Sequence, residues 1–369
     1  MSDKIEPGPQ ASGRDPAREP RGETCAARLR LSRRTWLAGG LTAGLAGGVA
    51  AKVAHRWWAA SAGQRSRAQA PVFIARHQRY DGDLAQTIRD GLAACGFHVA
   101  SVRGRRVLLK PNLVEPLRGC PQMTTHPALV LAAAEVFRSW GATVVVGEGP
   151  GHLRDTELAL VESGMGEALA AARLPFADLN YEDVAWRPNR GRQSKLAGFW
   201  FPRSVVEADL IVSLPKMKTH HWVGVTAALK NMYGTIPGCK YGWPKNVLHY
   251  QGIPQTVLDI NASLPPTIAI VDAIDCMEGD GPIMGTLKPM GLLLVGTCPT
   301  AVDATVCRLM QVDPWAVPYL ALAEGRLGPL AERQIEQRGE RWQPLAQPFE
   351  ILDRPHLKNL VRHRGVLVS

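Results

Sequence analysis

Lys216, Lys218, His220 and His221 fall within one six-residue stretch of this 369-residue chain. A lysine ammonium is a compact point charge suited to holding an anion, and a histidine changes charge near neutral pH. Together with Lys110 and Lys230, the two lysines can hold a small anionic ligand. Any one of them alone reads as an ordinary solvated lysine. Lys216, His220 and Lys230 are the candidate catalytic groups, with His220 or His249 as the proton donor or acceptor. Lys110, Asn112, Glu148, Lys218, Asn231 and Asp303 are the candidate ligand-binding groups. His221, His249, Asp272, Glu278 and Asp280 offer imidazole nitrogens and hard oxygens, a set compatible with several divalent metals. The plainer use of those carboxylates is to cap helices or pair with the lysines. His220 and His221 are adjacent, so on a regular element they point apart and at most one readily joins a given metal.

A scaffold must carry these distant residues to one place. Apolar runs at Val72–Ala75, Val107–Leu109, Thr143–Val146, Asp209–Leu214, Thr267–Val271 and Leu292–Val295 read as strands. Helical patterns lie between and beyond them at Leu84–Ala94, Leu158–Ala172, Val223–Tyr233 and Ala301–Met310. After Pro127, the residues Leu129, Val130, Ala133, Val136, Phe137 and Trp140 follow the spacing of one packed helical face. Strands without polar alternation, separated by helices, predict an α/β fold: a mostly parallel sheet flanked by helices on both faces. In such sheets, ligands bind beyond the carboxyl ends of the strands. Lys110-Pro111-Asn112, Gly147–His152, Pro215–His221, Asp272 with Glu278–Pro282, and Gly296 with Asp303 all follow strands, so these charged loops are expected along one rim. Gly147–Gly151 is glycine-rich but lacks both the ending of a phosphate-binding P-loop and the G-x-G-x-x-G pattern. A tight turn is the better reading, and a nicotinamide enzyme is disfavoured.

The formal net charge is +10, but 12 of the 43 Lys and Arg and only 5 of the 33 Asp and Glu lie in residues 1–70. Most of the basicity therefore belongs to the leader, and no nucleic-acid partner is expected. Ser32-Arg33-Arg34-Thr35-Trp36-Leu37, ahead of the Ala/Gly/Leu run Ala38–Ala51, reads as a twin-arginine export address, with Ala60-Ser61-Ala62 as the cleavage site. Glycines interrupt that run, which falls short of the roughly 20 apolar residues needed to cross a bilayer. The expected partners are the twin-arginine export machinery and a small anionic ligand, with membrane contact only through the leader if it stays uncleaved. The expected organisation is a leader at 1–62, an α/β domain at 71–330 and a C-terminal extension at 331–369, whose one strand-like run is Phe349–Leu352. None of the seven cysteines forms a C-x-x-C pair, so their spacing supports neither an iron–sulfur cluster nor a zinc knuckle.

The stretch ADLIVSLPKMKTHHWVGVTAALKNMYGTIPG, from Ala208 to Gly238, resembles the signature of the domain-of-unknown-function 362 family. LLKPN at 108–112, TTHP at 124–127, GEG at 147–149, VDAIDCMEGDGP at 271–282 and AVDA at 301–304 add to the resemblance, which covers about residues 71–330. It implies that Lys216, Lys218, His220, Lys230, Asn231 and His249 belong to a shared pattern, but it implies no settled reaction. Many relatives resemble iron–sulfur proteins through an added ferredoxin-like segment, which this sequence lacks. Two functions compete, ahead of a weaker third, electron transfer through a bound cluster. One is an exported enzyme acting on a small anion, with a divalent metal or another cofactor. The other is a non-catalytic periplasmic binding or accessory protein for a redox system.

Overall fold

A computed structural model describes residues 69–152 and 154–361. The twin-arginine address and its cleavage site lie outside the described residues. The strands are β1 (Ala70–Ala75), β2 (Arg106–Pro111), β3 (Thr143–Glu148), β4 (Phe176–Asp178), β5 (Val184–Pro188), β6 (Gly198–Pro202), β7 (Leu210–Leu214), β8 (Lys216–His220), β9 (Gly224–Thr226), β10 (Thr267–Glu278), β11 (Thr286–Gly296) and β12 (Ile335–Gly339). The main sheet runs β12-β1-β11-β10-β7-β2-β3-β4. Along this path only β11 opposes its neighbours, β1 and β10, and every other pairing is parallel. The reason is local: a short turn, with no crossover helix, joins β10 to β11, which makes an antiparallel hairpin. The fold is α/β with a mostly parallel sheet and helices on both faces.

Alternation along each strand divides the core in two, because successive side chains point to opposite faces. Val107 and Leu109 of β2, Val212 of β7, Ile270 of β10 and Val295 of β11 pack with Ile88, Val130 and Phe137 of the helices Leu84–Ala94 and Pro127–Ser139. Leu108, Ile211, Val271 and Leu294 face the other way, onto Val257, Val302 and Leu320 of the helices Ile253–Ser263, Pro299–Leu309 and Pro318–Ala323. The helix Pro127–Ser139 begins where expected. Proline sits at its first position, and His126 Nδ1 accepts the Ala128 N–H at 3.1 Å.

Four expectations are corrected. Leu158–Ala172 is two helices, Thr156–Glu162 and Met165–Ala171, broken at Gly164 in the left-handed region at φ 69°. Val223–Tyr233 is not one helix. It contains β9, the short helix Ala228–Asn231 and the start of a 3-10 turn, Met232–Thr235. Its apolar residues are buried on every side, so their spacing reports burial and no single packed face. Lys216–His220 is strand where a loop was expected: Pro215 C=O accepts the Asp272 N–H at 2.9 Å, and the chain continues beside β10 as β8. Finally, residues 331–361 join the domain. β12 pairs with β1, and Phe349, Leu357 and Leu360 enter the core, although no strand forms at Phe349–Leu352. Among the described residues, no helix is long and apolar enough to cross a membrane.

Candidate functional site

β10 and β11 extend past the carboxyl edge of the parallel strands, and β8 runs along that overhang. Alternation in β8 sets Lys216, Lys218 and His220 on one face, above the ends of β2, β7 and β3. The rim expected from the sequence forms in this way, partly from strand ends and partly from loops.

At its inner end, the Lys216 ammonium is fully buried and donates to Asp272 Oδ2 at 2.7 Å and to the Tyr80 hydroxyl at 2.9 Å. The Tyr80 hydroxyl donates to Asp272 Oδ1 at 2.9 Å, and the His126 backbone N–H donates to Oδ2 at 2.9 Å. The rings of Tyr80 and His126 stack with centroids 3.8 Å apart. Burial, and then the charge of Asp272, hold the Tyr80 phenol far above its ordinary range. Lys216 and Asp272 thus satisfy each other, and Asp272 has few lone pairs left for a metal.

The neighbouring group is built around Asn231. Its amide donates to Lys110 C=O at 3.0 Å and to Ser213 Oγ at 3.1 Å, while its Oδ1 accepts from Lys110 Nζ at 3.0 Å. Lys110 forms an ion pair with Glu148, and both are buried; loss of water pushes each toward its neutral form. A Cβ on Gly234 would overlap both the Glu148 carboxylate and the Lys110 ammonium, so the close approach of that backbone requires glycine. Asn112 Oδ1 accepts from Lys218 Nζ at 2.9 Å. The other partners of Lys218 are the carbonyls of Met123 at 2.9 Å and Pro282 at 3.1 Å. A fully buried ammonium held by neutral oxygens alone has its pKa driven well down, by burial first and then by Lys216, Lys230 and Lys110.

Lys230 stands apart. It is half-buried over the Tyr233 ring, 4.0 Å from the centroid, and has no hydrogen-bond acceptor or carboxylate partner among the described residues. Burial, with help from Lys110, lowers its pKa to about 8. His220 Nδ1 accepts the Trp222 N–H at 3.0 Å, which assigns the proton of the neutral ring to Nε2. Burial keeps His220 neutral, and Lys230 is the first of the charges that reinforce this. The His249 pKa is lowered to about 4 by burial and then by Lys230 and His152. His249 is exposed as a whole residue, and its ring stacks on that of Tyr233 with centroids 6.2 Å apart.

Other expected residues go elsewhere. Asp303 accepts the backbone N–H groups of Ala228 at 2.7 Å and Leu229 at 3.0 Å, and so anchors the short helix that carries Lys230 and Asn231. It positions those residues. Glu278 pairs with Lys288 at 3.0 Å, and His221 Nδ1 lies 3.3 Å from Asp280 at an exposed position. The proposed metal set of His221, His249, Asp272, Glu278 and Asp280 therefore does not converge. Among the described residues, no three His, Cys, Asp or Glu side chains are placed to hold a metal ion.

Residues 107–308, more than half of the chain, match the family described as Domain of unknown function (DUF362). The chain belongs to this family. Across 76% of this chain and 85% of the relative, it is 28% identical to a thylakoid-associated protein of Synechocystis sp.. The lactate racemase apoprotein from Thermoanaerobacterium thermosaccharolyticum is similar over 66% of this chain and 58% of its own length, with 13% identity and a TM-score of 0.37. The chain thus spans less than two thirds of that protein.

In this DUF362 chain, sequence reasoning missed Lys245. Its buried ammonium donates to Gly149 C=O at 2.8 Å and Tyr233 C=O at 2.9 Å, and burial lowers its pKa to about 7. No spacing signal marks it, because an irregular segment with φ 69° at Lys245 itself delivers it to the cluster. Tyr80 was equally hidden; it reaches Lys216 from 136 positions away.

Proposed function

We propose that this DUF362 protein is exported by the twin-arginine route and binds a small anion at the carboxyl edge of its sheet, where Lys230 and His220 act on it. One observation carries the binding claim. Lys110, Lys218, Lys230 and Lys245 gather at this edge, and among the described residues Glu148 is the one carboxylate bonded to any of them. Such an excess of positive charge, sheltered from water, favours a negatively charged occupant. Among the described residues, the Lys230 ammonium and the Nε2–H of His220 have no protein acceptor. The competing reading, a periplasmic accessory protein for a redox system, keeps the same anion site and has no turnover.

Sulfate tests the binding, because its charge does not change near neutral pH. Calorimetric titration of the full chain is expected to show saturable binding. In Lys230→Met, the loss of a charged hydrogen bond costs about 1.5–3 kcal/mol, roughly 10- to 150-fold in Kd. A bound anion favours protonated lysine, so affinity is expected to fall as the pH rises through about 7 and about 8, where Lys245 and Lys230 lose their protons. A pH-independent Kd, or no binding, counts against the site.

Export is tested by fractionating cells that express the chain with Arg33→Lys and Arg34→Lys together. The natural sequence is expected outside the cytoplasm and the paired variant inside it. Equal distribution of the two would refute the export reading. The same fractions show whether the protein remains on the membrane, as it would if held there by an uncleaved leader.

A further inference from the structure

We propose that Lys230 is a covalent nucleophile: its amine forms an imine with the carbonyl carbon of a small 2-oxo carboxylate held in the lysine cluster. The inference rests on the anion-binding reading and names its substrate class.

The geometry separates Lys230 from every other lysine of the cluster. The nitrogens of Lys110, Lys216, Lys218 and Lys245 each donate to two or three oxygens of the protein, which hold them turned towards the chain. Lys230 makes no such bond; the Tyr233 ring face is its described contact. Its exposure is graded with its surroundings. His152 and His249 are exposed, Lys230 is half-buried, and Lys110, Asn231 and Glu148 are buried. Asp303 anchors the first turn of the four-residue helix carrying Lys230, so the amine is presented from a fixed backbone. A lysine becomes a nucleophile when shielding from water and nearby cations keep part of it neutral, and both conditions act on Lys230.

The neighbouring cations select the substrate. A carboxylate beside the reacting carbonyl would meet positive charge, and the Nε2–H of His220 is a free donor for the carbonyl oxygen. The step balances without a further reactant. The Nζ lone pair forms the N–C bond, and the C=O π pair moves to oxygen, which takes a proton. The nitrogen loses a proton to give a carbinolamine, and the hydroxyl then leaves as water once protonated, as the nitrogen lone pair closes C=N.

The test is reductive trapping. The full chain is incubated with pyruvate or glyoxylate and cyanoborohydride, digested, and mapped by tandem mass spectrometry. The expected result is a single dominant adduct on Lys230, heavier by the mass of the oxo acid less one oxygen atom. Sulfate is expected to suppress it by competition. Lys230→Arg keeps the positive charge but provides no amine that forms an imine, so it is expected to lose the adduct. Sulfate binding without an adduct on Lys230 overturns the covalent role and leaves the anion site standing. Labelling spread evenly over exposed lysines, or unaffected by sulfate, also overturns it. If neither sulfate binding nor an adduct is seen, the anion-binding reading falls as well.

Discussion

Asp272→Ala is expected to cost about 3–5 kcal/mol of folding stability, because it leaves the Lys216 ammonium buried without its counter-charge. The carboxylate does more than neutralise Lys216. It accepts from the Tyr80 hydroxyl and from the N–H that precedes the helix Pro127–Ser139, so one side chain ties β8, β10, the β1–helix connection and a helix start together. Urea denaturation is the measurement, with the midpoint expected to fall and the slope to stay the same. A control distinguishes charge burial from lost packing. Adding Lys216→Met to Asp272→Ala removes the orphaned charge and is expected to recover part of the loss. Recovery stays partial, since Tyr80 and the His126 N–H remain without their acceptor. If the double variant is less stable than the single one, burial of an unpaired Lys216 is not the cause.

Glu148→Gln is expected to cost a similar amount, about 3–5 kcal/mol, for the same reason at the other end of the cluster. Here the loss carries a pH signature. In the natural protein, Glu148 raises the pKa of both Lys110 and Lys245 against the pull of burial. Without it, the folded state binds fewer protons while the unfolded state is almost unchanged. The stability gap between the two proteins must therefore narrow as the pH rises through about 7, the Lys245 value, and beyond. Sulfate is expected to restore more stability to Glu148→Gln than to the natural chain, since an anion can take the place of the missing charge. Denaturation midpoints of both proteins across this pH range, with and without sulfate, check the claim. A gap that widens with pH would show that Glu148 does not hold the lysines in their charged form.

The parallel core was legible because it rests on local apolar runs. Val107–Leu109, Thr143–Val146 and Thr267–Val271 each lie within a strand of the sheet. Segments near the site were harder to read. Around Val223–Tyr233 every face is covered, so polarity no longer alternates with structure. Lys216 and Lys218 were recognised by type, but charged residues next to a strand normally read as loop. Only a second strand alongside, β10, with ion pairs and carbonyls to receive the ammonium groups, makes a strand of lysines tenable.

The site residues show the same division. Lys110, Lys216, Lys218 and Glu148 were legible as a group because each follows or ends an apolar strand, and strand ends meet at one edge; Asn231, on the short helix Ala228–Asn231, was legible only through the family resemblance. His221, Glu278 and Asp280 met the same criterion, but His221 and Asp280 lie in the β8–β9 and β10–β11 turns and Glu278 at the far end of β10, where each pairs with a neighbour. Residue type and sequence position thus determined the sheet and which side chains approach its rim. The tertiary structure alone decided which of those groups neutralise one another and which lysine is left free. That choice depends on distances of a few ångströms between segments a hundred residues apart, and the energy of a buried charge changes steeply over such distances.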